Sequence, residues 1–346
     1  MAWRERAFRL LAVEGATVAV ALVGLVVAFS LSSPFFLTGE NIKNLLVQSI
    51  FVLLVALGMT FVLVAGGIDL SVGSVLGLSA GTTLLVLQHG APTVVGIAAG
   101  LGTGVVAGVL NGLVIAGLGI SPFIVTLASL GIASGFLQVL TSKTQLTGVD
   151  SAAFAYLANG AILSIPFPVI LGIVVAVALE LVLWRTSFGR SVFAIGINAR
   201  AAHLSGIGVK RVRFGVYVLS GLLAAGAGIL LASRLNSVQP GLGGGYELTA
   251  IAAAVIGGTS IAGGRGSVWR SVVGALLLGV LNNGLQLLSV DPVWFTIIAG
   301  ISIAVAAASD QAVQRLAVGR LRGGASTETS AAPWRPEAIG PRGGGS

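Results

Sequence analysis

Long apolar runs separated by short polar segments occupy most of the chain. Runs of about 17 to 25 residues, the length at which a helix crosses roughly 30 Å of hydrocarbon, fall at 13–32, 46–66, 71–88, 92–117, 122–141, 163–184, 214–233, 248–263, 271–289 and 292–309. The pattern predicts ten helices. The third and eighth runs are short, rich in glycine and interrupted, so each is a candidate for a broken or re-entrant helix. The expected fold class is therefore all-α: a polytopic transmembrane helical bundle of about ten spans.

Composition agrees with that reading. Of 346 residues, 55% are hydrophobic and only 9% charged, whereas a soluble domain carries about a quarter charged residues. The net charge of +8 does not point to nucleic acid, because the basic residues lie between the apolar runs, as membrane orientation requires. With a cytoplasmic N-terminus, sixteen of the nineteen Lys and Arg residues fall on the inside, and only Lys43, Lys143 and Arg234 fall outside. This bias predicts that both termini are cytoplasmic. Arg4, Arg6 and Arg9 ahead of the first run resemble a signal peptide, but the run is long and lacks a small-x-small cleavage site, so it reads as an uncleaved span. The expected organisation is a cytoplasmic segment 1–12, a transmembrane domain 13–310 and a disordered cytoplasmic tail 311–346, rich in Gly, Pro, Ser and Thr. Cysteine is absent and His89 and His203 lie far apart, so neither disulfide nor metal cluster is expected.

Polar residues inside the runs are few and each needs a reason. Asp69, in "LVAGGIDLSVGS" at 63–74, costs about 2.5 to 3.5 kcal/mol at mid-bilayer. Either it caps the N-terminus of the third helix, with Ser71 and Ser74 following, or it touches solute or ion. Gly96, Gly100, Gly104, Gly108 and Gly112 recur every fourth residue and form a ridge that lets a neighbouring helix approach closely; simple packing and a sliding contact are both open. Asn111, Asn282 and Asn283 read equally as packing bonds or as lining of a path. Ser121, Pro122, Phe123 and Thr126 belong to a helix start with serine as cap and proline in the first turn. A short echo, "VLNGL" at 109–113 before Pro122 and "VLNNGL" at 280–285 before Pro292, fits an inverted repeat.

The segment 185–213 is the longest inside loop. Ala199, Ala201, Ala202 and Leu204 suggest a short helix closed by Ser205 and Gly206, and Phe188, Phe193 and Ile195 suggest an exposed docking surface. None of the three lysines follows a glycine, so the chain lacks a P-loop. Energy for any transport must come from another protein.

Four stretches carry a resemblance: "ALGMTFVLVAGGIDLSVGS" at 56–74, "NGLVIAGLGISPFIVTLASL" at 111–130, "TSFGRSVFAIGINARAAHLSGI" at 186–207 and "YELTAIAAAVIGGTSIAGGRGSV" at 246–268. The chain resembles permease subunits of ABC importers for ribose, xylose, arabinose and related sugars, over roughly residues 40–310. That resemblance implies a bacterial inner-membrane protein, a homodimer or a heterodimer of paralogous permeases, cytoplasmic ATP-binding subunits, and an extracytoplasmic protein that delivers the solute. It implies no enzymatic activity and no cofactor. The coupling element maps to Phe188, Gly189, Arg190 and the segment from Asn198 to Ile207, with Ala201, Ala202, Leu204, Ser205 and Gly206 within it. The substrate path is expected near Asp69, Ser71, Asn111, Ser121, Phe123, Thr126, Asn282 and Asn283. The chain departs from the family pattern at Ile197, where a second glycine is usual, and at Trp269-Arg270-Ser271. Competing readings are an ion-coupled secondary transporter using Asp69 or Glu180, a permease for a nucleoside or other solute, and a membrane enzyme, for which no nucleophile-base pair is visible.

Overall fold

In the computed structural model, residues 16–301 other than 292 and 296, together with residue 304, are described. The segments 1–12 and 311–346 and part of the tenth run lie outside the described residues. In chain order the elements are α1 (Ala16–Ser32), α2 (Gly39–Val64), α3 (Val72–Gln88), α4 (Thr93–Leu118), α5 (Pro122–Leu140) and α6 (Ala152–Asn159). A two-stranded hairpin, β1 (Ala161–Ile162) and β2 (Ile165–Pro166), precedes α7 (Phe167–Arg185), α8 (Ser187–Leu204), α9 (Val209–Leu235), α10 (Tyr246–Ile256) and α11 (Val268–Leu287).

Among the described residues, six helices are long and apolar enough to cross a membrane: α2, α4, α5, α7, α9 and α11. The third and eighth runs form α3, of 17 residues, and α10, of 11. At 1.5 Å per residue α10 is about 16 Å long, half the hydrocarbon thickness. The hairpin and α6 are additions that the apolar pattern does not show, because the apolar stretches that form them, around 152–166, are too short and interrupted to count as a span.

Two long helices organise the bundle. Thr38 starts α2, its Oγ1 accepting the Asn41 amide, and from Leu53 to Val64 every residue of α2 is buried. A helix buried on all sides is enclosed by other helices rather than by lipid. α2 packs against α10 and α11, while α9 packs against α3 and α4. Each long helix therefore lies against the short helix and the following helix of the other half. α2 and α9 also touch each other, and a Cβ at Gly58 would stand 3.1 Å from Ser220 Cα. Sequence supports the exchange: Gly66-Gly67-Ile68-Asp69-Leu70-Ser71 ahead of α3 matches Gly244-Gly245-Tyr246-Glu247-Leu248-Thr249 at the start of α10 in its glycines, acid, leucine and hydroxyl.

Helix ends gather at two poles. At one, Gly264 N donates to Val64 O at 2.9 Å, Gly196 backs onto both residues, and Pro122 and Arg213 meet Gly66 and Gly67 around a small cavity. At the other, Gln88 donates to Thr147 O at 2.5 Å, Arg234 donates to Asn159 and Asn44 at 2.6 and 2.8 Å, and Leu146 pairs with Val238. The segment 185–213 lies at the first pole and is a helix for most of its length, not a loop.

Candidate functional site

The start of α3 is where the chain spends its polar residues. α2 ends at Val64, and Gly66 takes a left-handed turn (φ +76°) that a side chain would strain. Residues 67–71 then run back along the bundle before α3 begins. Asp69 is not the cap of α3. Ser71 occupies that position and makes no side-chain capping bond. Instead the carboxylate holds Ser71 itself, with Oδ1 accepting Ser71 N at 3.0 Å and Ser71 Oγ at 2.6 Å. Oδ2 accepts Ser220 Oγ of α9 at 2.8 Å. Hydrogen bonds to a charged group stabilise by about 1.5 to 3 kcal/mol each, so three of them offset the cost of placing Asp69 in the membrane. The acid needs no solute or ion to be satisfied.

The network continues outward. Asn111 of α4 donates its amide to Ser71 Oγ at 3.0 Å and accepts from Ser129 Oγ of α5. Thr126 of α5, also buried, donates to Ile68 O at 3.4 Å, and Tyr217 of α9 donates to the same oxygen at 3.5 Å. Asp69, Ser71, Asn111 and Thr126 are thus brought together, joining α3, α4, α5 and α9. Asn111 and Ser129 also line a cavity of about 680 Å³ between α3, α4 and α5 whose remaining lining is almost entirely apolar.

The other expected path residues lie elsewhere. Ser121 is exposed and precedes Pro122 in the N-cap position without a side-chain capping bond. Phe123 is 52% exposed on the outer face of α5. Asn283 exchanges two hydrogen bonds with Asn41, at 2.9 and 2.8 Å, a closed pair that fastens α11 to α2. Asn282, one residue earlier, faces a separate cavity of about 190 Å³ beside the start of α10.

All five ridge glycines are buried. Gly96 and Gly100 back onto α3, and Gly104, Gly108 and Gly112 onto α9 at Gly221, Tyr217 and Phe214. Glu180, on α7, accepts Val268 N at 3.3 Å and so caps α11 from a neighbouring helix. The hydrolase pattern G-x-S-x-G, not expected in this chain, does occur once, from Gly77 to Gly81. Its Ser79 is buried in the middle of α3 with an unbonded hydroxyl, not on the strained strand-to-helix turn that exposes a nucleophile.

The aromatic residues of 185–213 are not an exposed docking patch. Phe188 stacks on Phe61 with centroids 6.4 Å apart, Phe193 packs on Trp184 at 5.3 Å, and Ile195 is buried. Gly189 backs onto the Leu183 carbonyl, and Arg190 reaches the Arg185 carbonyl at 3.4 Å. α8 breaks at Asn198, whose backbone is extended (φ −160°, ψ 101°). Its Oδ1 accepts the amides of Arg200 and Ala201, both at 3.0 Å, and so caps a second, short helical segment containing Ala201, Ala202 and Leu204. That segment closes at Ser205 and Gly206 (φ +83°), with Ile207 N donating to Ala202 O at 3.0 Å. Among the residues that it and its approach offer to solvent, beside Arg200 and His203, are two large aliphatics: Ile197 is 74% and Leu204 81% exposed.

Sequence reasoning missed Ser220, Ser129 and Glu247, whose Oε1 accepts Gly245 N at 3.2 Å at the start of α10. The first two lie among small residues in apolar helices, with no local signal. Glu247 was legible in the second occurrence of Gly-Gly-x-acid-Leu-hydroxyl. Among the described residues no group of His, Cys, Asp or Glu is arranged to hold a metal ion.

The membrane-capable helices agree with what the chain is similar to. It is 44% identical over 288 residues, 83% of its length and 89% of the relative's, to the ribose import permease protein RbsC of Bacillus subtilis (strain 168). RbsC of Escherichia coli (strain K12) is 39% identical over 298 residues, covering 85% of this chain and 93% of that protein. The L-arabinose transport system permease protein AraH of Escherichia coli (strain K12) is 38% identical over 291 residues, covering 84% and 88%. No solved structure matches. The family described as the branched-chain amino acid transport system / permease component matches residues 41–307, and the chain belongs to that family of membrane permeases.

Proposed function

We propose that the chain is the membrane-spanning permease subunit of a bacterial ATP-binding-cassette importer, carrying a monosaccharide of ribose type across the inner membrane. The observation that carries this reading is the 38 to 44% identity to ribose and arabinose permeases over more than four-fifths of the chain. The family description names branched-chain amino acids, but these relatives are named for sugars. The energy comes from cytoplasmic ATP-binding subunits, and the solute arrives from an extracytoplasmic binding protein. A second permease copy, or a paralogue, completes the path.

The reading includes ten spans with both termini cytoplasmic, a membrane domain over 13–310 with its coupling segment at 185–213, and a tail from 311. Its support is the grouping of helix ends. The pole with Gly66, Pro122 and Gly264 carries the basic segment 185–213 as well as Arg265, while Lys43, Lys143 and Arg234 belong to the opposite pole. By the excess of positive charge the first pole is cytoplasmic. The ATPase docks there on the segment capped by Asn198, whose exposed Ile197 and Leu204 present an aliphatic contact. Gly196 transmits the push, because it lies against Val64 at the end of α2 and against the turn at Gly264. From Val64 the displacement reaches Asp69 through the four residues between them. The network from Ser220 to Ser129 then moves α3, α4, α5 and α9 as packed bodies, a rigid-body transition of the kind driven by differential binding. Asp69, Ser71, Asn111 and Thr126 act here as positioning groups beside the path; Ser121 and Phe123, exposed at the start of α5, are not part of that network.

An ion-coupled mechanism wants a carboxylate that is free to bind the ion. Asp69 and Glu180 are both engaged by protein donors, so that reading is not favoured. The test is sugar uptake into right-side-out vesicles with ion gradients collapsed and ATP supplied inside. Uptake is expected with the intact ATPase and lost with a hydrolysis-dead one; uptake that ignores the ATPase and follows an ion gradient contradicts the proposal.

A further inference from the structure

Polar side chains within this bundle mostly satisfy one another. Asp69, Ser71, Ser220, Asn111 and Ser129 form one network, Asn41 and Asn283 a closed pair, and Thr60 and Ser271 share a bond of 2.7 Å. A polar group in hydrocarbon otherwise loses several kcal/mol, so pairing is the rule.

The buried hydroxyls of Ser79 and Thr259 are single exceptions; one place gathers several polar groups left unpaired. The cavity of about 190 Å³ beside the start of α10 has a polar side formed by Gln48 of α2, Tyr246 and Thr249 of α10 and Asn282 of α11, and an apolar side that includes Val52, Leu248, Leu278 and Ala299. The amide of Gln48 and the hydroxyl of Tyr246 have no hydrogen-bond partner among the described residues. Asn282 accepts from Gln286 Nε2 at 3.0 Å, yet its own amide nitrogen donates to nothing described. Three helices thus bring unspent donors and acceptors to one cavity in a chain where such groups are scarce. Its aromatic walls are Tyr246 and Phe295.

We infer that this cavity is a sugar subsite of the permease, an inference that rests on the monosaccharide reading above. The chemistry fits a polyhydroxylated ring. Each sugar hydroxyl both donates and accepts, as do the primary amides of Gln48 and Asn282, and an aromatic face covers the C–H side of such a ring. The larger cavity between α3, α4 and α5 is nearly all apolar and would leave hydroxyls unpaired. Position agrees as well. Gln48 lies nine residues from the start of α2, about 14 Å along it, and Asn282 five residues from the end of α11. Both helix ends belong to the pole opposite the coupling segment, so the cavity lies in the half of the membrane that a solute delivered from outside meets first.

The complete transporter in vesicles tests this, with radiolabelled ribose as probe. Gln48→Ala and Asn282→Ala are each expected to slow uptake about fivefold or more, while ATP hydrolysis stimulated by the loaded binding protein stays within twofold of the parent. Because the chain has no cysteine, Thr249→Cys places one unique thiol at the cavity; ribose is expected to slow its reaction with a membrane-impermeant maleimide. This second readout does not depend on the folding of the alanine variants. Parental uptake in both alanine variants, or labelling of the thiol that ribose leaves unchanged, overturns the subsite. Failure of the parent to move ribose or any other monosaccharide, with its ATPase active, would instead strike the sugar reading itself.

Discussion

At the residue scale the unusual feature is an aspartate in an apolar chain, and its place is explained by what it ties together. The sequence shows that Asp69 must be satisfied and that a helix starts nearby. It does not show the partner, because Ser220 is 151 residues away and looks like any small residue in an apolar helix. The cap expected on Asp69 belongs to Ser71, and the acid acts one step behind it. Ser220→Ala should lower stability by about 1.5 to 3 kcal/mol, the cost of one bond to a charged group. Asp69→Ala removes the shared acceptor and should cost more, while Asn111→Ala should cost about 1 kcal/mol. Thermal unfolding in detergent measures the series. Equal melting temperatures for Ser220→Ala and the parent would show that the bond across to α9 contributes nothing.

At the element scale, glycine spacing is informative on its own, since a fourfold repeat on a helix has one geometrical meaning, whereas the burial of aromatic residues in a polar segment is not. Phe188, Phe193 and Ile195 look exposed in sequence because charged residues surround them; Ile195 is buried and the two phenylalanines are partly covered because α8 folds back on α2 and α7. The breaks at the starts of α3 and α10 were legible from their glycines, but the reciprocal packing of the two halves was not, since it consists of contacts between distant segments. Two helix-level predictions follow from this packing. Gly104→Leu drives a side chain into the Gly221 carbonyl and Ala225, so folded yield should fall sharply; Gly102→Leu, two residues away with nothing within 4 Å, should leave yield unchanged. Equal yields from the two would mean that the seam between α4 and α9 tolerates a leucine. Asn198→Ala removes the cap of the second α8 segment, at about 1 kcal/mol, and should weaken co-purification of the ATPase without loss of membrane insertion. Unchanged co-purification, even after replacing 198–207 by Gly-Ser, would remove the docking assignment.

At the scale of the whole molecule, membrane class and the absence of a nucleotide-binding loop were plain from composition and motifs, because hydrocarbon admits few alternatives to a helical bundle. Identity of the solute was not plain, since the groups proposed to recognise it, Gln48, Tyr246 and Asn282, come from three separate helices. The central claim is that this chain is a gate moved by another protein's ATP hydrolysis. The measurement that tests it most directly is ribose accumulation in proteoliposomes holding the purified permease alone, compared with the permease joined by its ATPase and binding protein. The account predicts accumulation above the external concentration only in the complete system with ATP. Accumulation against a gradient by the permease alone, powered by protons or sodium, would contradict it.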